Sequence, residues 1–277
     1  MANSQAPIDY ESEYNNRARV PEHPLIMAGW ARDAAAYREA QPPERIAYGV
    51  RARETLDLFG LGNGPIVLFI HGGYWQALDG SSFSHMARGL NGCGVAVAVA
   101  TYDLCPDVSM AEIVEQMRKA ARMLHRRTRR RIVAVGHSAG SHLAACLLAT
   151  DWRSIDSELP GQLIPAAYCL SGLFDLRPLV ETQLNQALKL DPAEAQRFSP
   201  LFWTPPCAAK LHAVVGELES SEYHRQSHEI VERWRIAGVE TTFESIAGAN
   251  HFTVIAPLAD PDSKMVADIA ALAEAVA

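Results

Sequence analysis

The sequence predicts an α/β fold in a single domain, 1–277: a mostly parallel, twisted sheet with helices on both faces. Three observations lead there. The chain has 277 residues, 48% of them hydrophobic and 21% charged, enough to enclose a large core and too apolar for extensive disorder. The run Ile66-Val67-Leu68-Phe69-Ile70 is apolar throughout and lies between Gly64-Pro65 and Gly72-Gly73, as expected of a strand covered on both faces. From there onward, short apolar runs alternate with segments of helical spacing, the pattern of parallel strands joined by helices.

The elements follow in order. Residues 1–43 are broken by Pro7, Pro21, Pro24, Pro42 and Pro43 and read as an arm packed on the body, with a helix over 25–38. Strands are predicted at 45–51, 54–59, 66–70, 95–100, 131–136, 166–170, 211–215 and 241–246. Helices are predicted at 110–125, 139–150, 222–237 and 263–276. Residues 175–206 interrupt the alternation with Pro178, Pro192, Pro200, Pro205 and Pro206 and a helix over 179–190; they read as a lid-like insertion over the strand ends. Ligands of parallel sheets bind beyond the carboxyl ends of the strands, so the chemistry is sought just after each one.

Composition narrows the function classes. Lys and Arg number 25 against 32 Asp and Glu, a net charge of −7, which argues against a nucleic-acid partner. No apolar run approaches the roughly 20 residues that span a bilayer, and no membrane association is expected. The polar, acidic start MANSQAPIDYESEYNN lacks the features of a signal peptide. Five cysteines (Cys93, Cys105, Cys146, Cys169, Cys207) without a CxxC pair make no disulfide framework. Cys93, Cys146 and Cys169 lie in apolar sequence and read as small core residues. A reducing, cytoplasmic setting is the expectation. Five of the six residues 126–131 are arginine. Placed at a helix end, this run reads as a solvated junction or as a contact between subunits of a homodimer. Neither HExxH nor a paired metal-ligand spacing occurs, so no metal or cofactor is expected.

Gly136-His137-Ser138-Ala139-Gly140 falls between a predicted strand and a predicted helix. A serine there occupies a strained turn that projects its Oγ, and the small neighbours let strand and helix approach closely. The hydroxyl needs a base. Of ten histidines, His251 stands just after the last strand, completing the chain order Ser…acid…His. His137, beside the serine, is expected to point to the other side of the turn. The acid is sought after the strand 211–215, where Glu219 is chosen over Glu217, Glu222 and Asp175 to orient the imidazole. His71-Gly72-Gly73-Tyr74-Trp75 follows the strand 66–70; its glycines permit a backbone that aims the N–H groups of Gly73 and Tyr74 at one point. With the N–H of Ala139 they would form an oxyanion hole. His71 is expected to brace this loop.

These motifs resemble the α/β-hydrolase fold and, within it, the serine-dependent kynurenine formamidase branch. The resemblance extends over most of the chain, from Tyr14-Asn15-Asn16-Arg17 through Tyr48-Gly49 and Leu56-Asp57-Leu58-Phe59 to the HGGYWQ and GHSAG segments. It continues with Ser171-Gly172, Asp175-Leu176, Glu222-Tyr223-His224-Arg225-Gln226-Ser227 and His251-Phe252. It implies Ser138 as nucleophile, His251 as base, and Gly73, Tyr74 and Ala139 as oxyanion donors. The family usually carries Asp where this chain has Glu219, so one extra methylene must be absorbed. The implied activity is hydrolysis of a small aromatic amide, an N-formyl or N-acyl aryl amine such as N-formylkynurenine or an N-acylanthranilate. A carboxylesterase acting on small esters is the alternative, and a non-catalytic binding member of the fold a third class. Tyr74, Trp75, Phe174, Trp203 and Phe252 lie near strand ends or the insertion and are expected to line an aromatic substrate pocket.

Overall fold

The computed structural model describes residues 7–277. The strands β1 (Glu44–Ala47), β2 (Thr55–Phe59), β3 (Ile66–Ile70), β4 (Ala96–Thr101), β5 (Val133–His137), β6 (Ala166–Leu170), β7 (Lys210–Gly216) and β8 (Glu240–Ile246) form one sheet. Their order is β1-β2-β4-β3-β5-β6-β7-β8. β1 pairs antiparallel with β2, and β2 antiparallel with β4; the other pairings are parallel. The predicted α/β architecture is borne out.

Alternation along the strands divides the core between two faces. On one side Ile66, Leu68, Ile70, Ala96, Ala98 and Ala134 meet α2 (Met110–Thr128), α3 (Ala139–Leu148) and α4 (Ser221–Ile236). On the other, Val67, Phe69, Val97, Val99, Val133 and Val135 meet α1 (His23–Ala40) and α5 (Lys264–Val276). Small alanines on the first face let α3 pack closely, and every residue of α3 is buried. At the carboxyl edge the strands end nearly in line: Ile70 lies opposite Gly136, His137 opposite Leu170, and Leu170 opposite Val214. The loops after β3, β5, β6, β7 and β8 therefore converge on one place.

Four local expectations change. The first strand stops at Ala47 because the Glu54 carboxylate turns under Gly49, accepting the N–H of Arg51 at 2.9 Å. α2 runs to Thr128, past the predicted 125, and closes on Arg129 in the left-handed region at φ 59°. Within the insertion, the helix expected over 179–190 breaks into a 3-10 turn, Arg177–Glu181, and one helical turn, Asn185–Leu188. The Asn185 side chain causes part of the break, bonding the carbonyls of Val180 and Leu190 and the N–H of Leu190 in competition with a continuous helix. Cys93, read as a core residue, is exposed in the turn that follows the helix Ala87–Gly92.

The arginine run lies at the surface of the chain, with Arg126 paired to Asp156 at 3.0 Å and Arg127 to Glu44 at 2.7 Å. Among the described residues no helix is long and apolar enough to cross a membrane.

α1 docks on the sheet edge through Trp30, whose ring lies 5.3 Å from that of Phe83, and through an ion pair. The Asp57 carboxylate is buried and accepts from Arg45 at 2.8 and 3.0 Å and from the Arg38 guanidinium of α1. Burial by itself would raise this carboxyl's pKa; the bonds and charges of Arg45 and Arg38 outweigh it and hold it below the ordinary value. The folded state thus favours the ionised form. The resulting stability is complete above the unfolded pKa of about 3.9 and is lost as pH falls through the lower folded value. Asp57→Asn should lower the unfolding free energy at pH 7 by about 1–3 kcal/mol. In urea titrations the gap to the parent protein should close on acidification below about pH 4.

Candidate active site

The sharp turn forms where β5 hands over to α3. Ser138 sits at φ 56° and ψ −120°, a conformation disfavoured by about 1–3 kcal/mol for a residue with a Cβ. Its N–H donates to Leu170 O at 2.8 Å. Ser141 Oγ donates toward Gly136 O at 2.7 Å and Leu170 O at 2.8 Å, fastening the start of α3 to β5 and β6. The two glycines are steric requirements. A Cβ on Gly136 would overlap the carbonyl of Gly140, and one on Gly140 would overlap the carbonyl of Ile70.

The turn presents Ser138 Oγ 3.0 Å from Nε2 of His251, in the loop after β8. His251 Nδ1 lies 2.6 Å from Oε2 of Glu219, in the turn after β7. Glu219 Oε1 accepts from Gly216 N at 2.7 Å and from Ser171 Oγ, in the loop after β6. The Glu219 side chain is 0% exposed. A carboxylate bonded at Nδ1 fixes the proton there and leaves Nε2 free to accept from the serine hydroxyl. The longer glutamate fits because its turn curls back, with Glu219 N donating to Gly216 O at 3.1 Å. Gly216 has no side chain to crowd the carboxylate; a Cβ there would lie 3.1 Å from Oε1. The competing acids are engaged elsewhere: Glu217 with Gly248 N, Glu222 with Arg225 and Tyr14, and Asp175 with Arg177.

The loop after β3 lies against this turn, since a Cβ on Gly72 would come within 2.9 Å of His137 O and 3.0 Å of Ser138 Cβ. The backbone of Gly73, Tyr74 and Trp75 has positive φ at three successive residues, 110°, 51° and 56°. The N–H groups of Gly73, Tyr74 and Ala139 donate to no acceptor among the described residues. Successive N–H groups freed in this way can hold an anion. His71 braces the loop: its ring stacks on Tyr102 at 4.4 Å and Phe83 at 5.8 Å, with Nδ1 2.7 Å from Gly72 O. Burial pulls its pKa down to about 4, so it stays neutral near pH 7.

Sequence reasoning assigns no role beside Ser138 to Asn16, Tyr14 or Tyr223, and it aims His137 elsewhere. His137 does not turn away: its Nε2 lies 2.8 Å from the carbonyl of His251, and the two rings are 4.9 Å apart. Burial, reinforced by His251, keeps it well below the usual histidine range and therefore uncharged. Tyr74 donates to Tyr14 O at 2.6 Å and meets the Tyr223 hydroxyl at 2.6 Å. Asn16 Nδ2 donates to both phenols, at 3.1 and 2.8 Å. The Tyr223 ring lies 4.6 Å from that of His251. Burial pushes the phenols of Tyr14, Tyr74 and Tyr223 above the ordinary tyrosine range. The segments Tyr14–Arg17 and Glu222–Ser227, noted above as part of the resemblance, were the signal that pointed here; nothing in their hydropathy did.

A cavity of about 460 Å³ opens over Ser138 and His251. Of the five residues expected around it, Tyr74 and Phe252 line it, while Trp75, Phe174 and Trp203 do not. Trp75 is fully buried with its ring edge-on to His142 at 5.0 Å. Phe174 is buried beneath Gly172, and Trp203 Nε1 is tied to Arg197 O at 2.8 Å. Their places are taken by Tyr14, Met27 and Trp30 from the N-terminal segment. Among the described residues no group of three His, Cys, Asp or Glu side chains is disposed to hold a metal ion.

The chain belongs to the α/β-hydrolase family: a family model described as the alpha/beta hydrolase fold matches residues 67–255. It is similar to the kynurenine formamidase of Danio rerio, 30% identical over 226 residues that cover 78% of this chain and 76% of the relative. It is likewise similar to the kynurenine formamidase of Salmo salar, 31% identical over 237 residues covering 80% and 79%. A solved protein of Silicibacter sp. TM1040, provisionally assigned as a thioesterase, superposes with a TM-score of 0.84 at 34% identity. That match covers 94% of this chain and 98% of the other.

A fluorophosphonate probe should label the chain at Ser138. Mass spectrometry of the digested adduct should find the label there, and His251→Ala should slow labelling by at least about a hundredfold, the lower range for one acid–base group.

Proposed function

We propose that the protein is a serine-dependent amide hydrolase that cleaves an N-acyl aryl amine, with N-formyl substrates favoured. The observation that carries this reading is the hydrogen-bonded line from Ser138 Oγ through His251 to the buried Glu219, set beside backbone N–H groups that have no acceptor. The names of the relatives from Danio rerio and Salmo salar support the formamide as the bond attacked.

In this mechanism Ser138 Oγ attacks the acyl carbon while its proton passes to His251 Nε2. The oxyanion accepts from the N–H groups of Gly73, Tyr74 and Ala139. His251 then gives the proton to the departing nitrogen as the C–N bond breaks, leaving an acyl ester on Ser138. Water repeats the cycle through the same imidazole and releases the acid. An arylamine departs more readily than an alkylamine because its lone pair delocalises into the ring. Glu219 accepts from Nδ1 throughout and stabilises the imidazolium. Tyr14, Trp30 and Phe252 offer aromatic surface to the substrate ring.

Ester or thioester hydrolysis is the second reading, favoured by the 34% identity to the Silicibacter protein. The leaving group separates the two, since an alkoxide or thiolate depends less on proton delivery than an amine does. A kcat/KM panel of N-formylkynurenine, N-formylanthranilate, N-acetylanthranilate and a simple aryl ester tests the assignment. Formamides should lead it; an ester leading every amide would transfer the assignment to the second reading.

Ser138→Ala should lower kcat by about 10⁶ and Glu219→Gln by about 10⁴, by the scale of other serine triads. The base must be uncharged to accept the serine proton, and His137 is already neutral. The acid limb of log kcat/KM should therefore rise with a slope of one, reporting a single ionisation.

A further inference from the structure

The segment before α1 supplies more than aromatic walls. Arg17 is the one Lys or Arg among the residues lining the cavity over Ser138; it is exposed, and its side chain makes no ion pair or hydrogen bond among the described residues. Its neighbour in the same short helix, Arg19, behaves differently, bonding Glu13 at 2.9 Å and Ser12 O at 3.2 Å. The backbone that carries Arg17 is nevertheless anchored on both sides. Asn15 caps its helical turn, its side chain accepting from Ala18 N at 3.1 Å. Asn16 is buried and bonded to both Tyr74 and Tyr223. An exposed guanidinium with no partner among the described residues is thus carried by an anchored backbone at the rim of a partly aromatic cavity. Glu11, the carboxylate on the same rim, has Oε2 engaged by Gln183 N at 2.8 Å.

We infer that Arg17 is a specificity-determining residue that receives a carboxylate on the substrate, so that the site selects anionic aromatic ligands over neutral ones of the same shape. The inference rests on the hydrolase reading only for where the reacting bond lies. A guanidinium pairs with a carboxylate through two parallel N–H donors, and the geometry distinguishes it from lysine. Arg17 is exposed at the rim, so such a pair remains open to screening by salt, while Trp30, Tyr14 and Phe252 offer the ligand ring an apolar wall.

The test reads binding without turnover. In the Ser138→Ala protein, tryptophan fluorescence titrations compare anthranilate with its neutral isostere 2-aminobenzamide. Anthranilate should bind at least about tenfold more tightly, the scale of one charge-assisted bond. Arg17→Gln should bring the two Kd values within about twofold, Arg17→Lys should keep part of the preference, and salt should weaken anthranilate alone. Equal affinities, a preference that survives Arg17→Gln, or no measurable binding of either ligand would overturn the inference. A parent enzyme that hydrolyses no aryl formamide would instead sink the amidase reading and leave this binding result standing.

Discussion

Glu219 lies with none of its side chain exposed, and a carboxylate so enclosed is costly unless donors surround it. Three do: the N–H of Gly216, the hydroxyl of Ser171 and the Nδ1–H of His251. They come from the end of β7 and from the loops after β6 and β8. The need to satisfy one buried acid therefore draws three strand ends together and sets the tautomer and plane of the imidazole. Ser138 meets that imidazole from the turn after β5. The strain at its φ of 56° is held by α3, whose first turn is bonded to β5 and β6 and whose every residue is buried.

Close backbone approach is the second constraint. Gly136 and Gly140 allow strand and helix to touch, and Gly72 brings the loop after β3 against Ser138. The three successive positive φ values at Gly73, Tyr74 and Trp75 free N–H groups where the turn already exposes that of Ala139. His71 and His137 make this rigidity without charge. Each is buried and held well below the usual histidine range, whereas the imidazole hydrogen-bonded to the Ser138 hydroxyl is that of His251.

The N-terminal segment is part of the same architecture. Asn16 joins the phenols of Tyr74 and Tyr223, linking the start of the chain to the loop after β3 and to α4. Tyr14 bonds Glu222 and Gln226 of that helix at 2.7 Å each. One wall of the cavity is therefore built by residues more than a hundred positions from Ser138, and its chemistry comes with them. Trp75, Phe174 and Trp203, nearer the strand ends in sequence, are absorbed into packing instead. Proximity to a strand end does not say whether a large ring turns toward the cavity or into the core behind it.

The amino-acid sequence by itself determined the sheet, the principal helices and the strand ends after which the candidate site residues stand. Runs such as Ile66–Ile70 favour a doubly covered strand, and Gly136 and Gly140 around Ser138 permit a tight turn that larger residues would block. It also ranked Glu219 first among four acids by distance past a strand. Only the tertiary structure decided which of these acids faces His251, where the His137 ring turns, and that Tyr14, Asn16, Arg17 and Tyr223 stand around Ser138. Those choices depend on side-chain direction and on contacts across some two hundred residues, between Asn16 and Tyr223 for example, separated by 207 positions. Local propensity and periodicity carry no record of such contacts, because the same pattern of apolar and polar residues is compatible with either orientation.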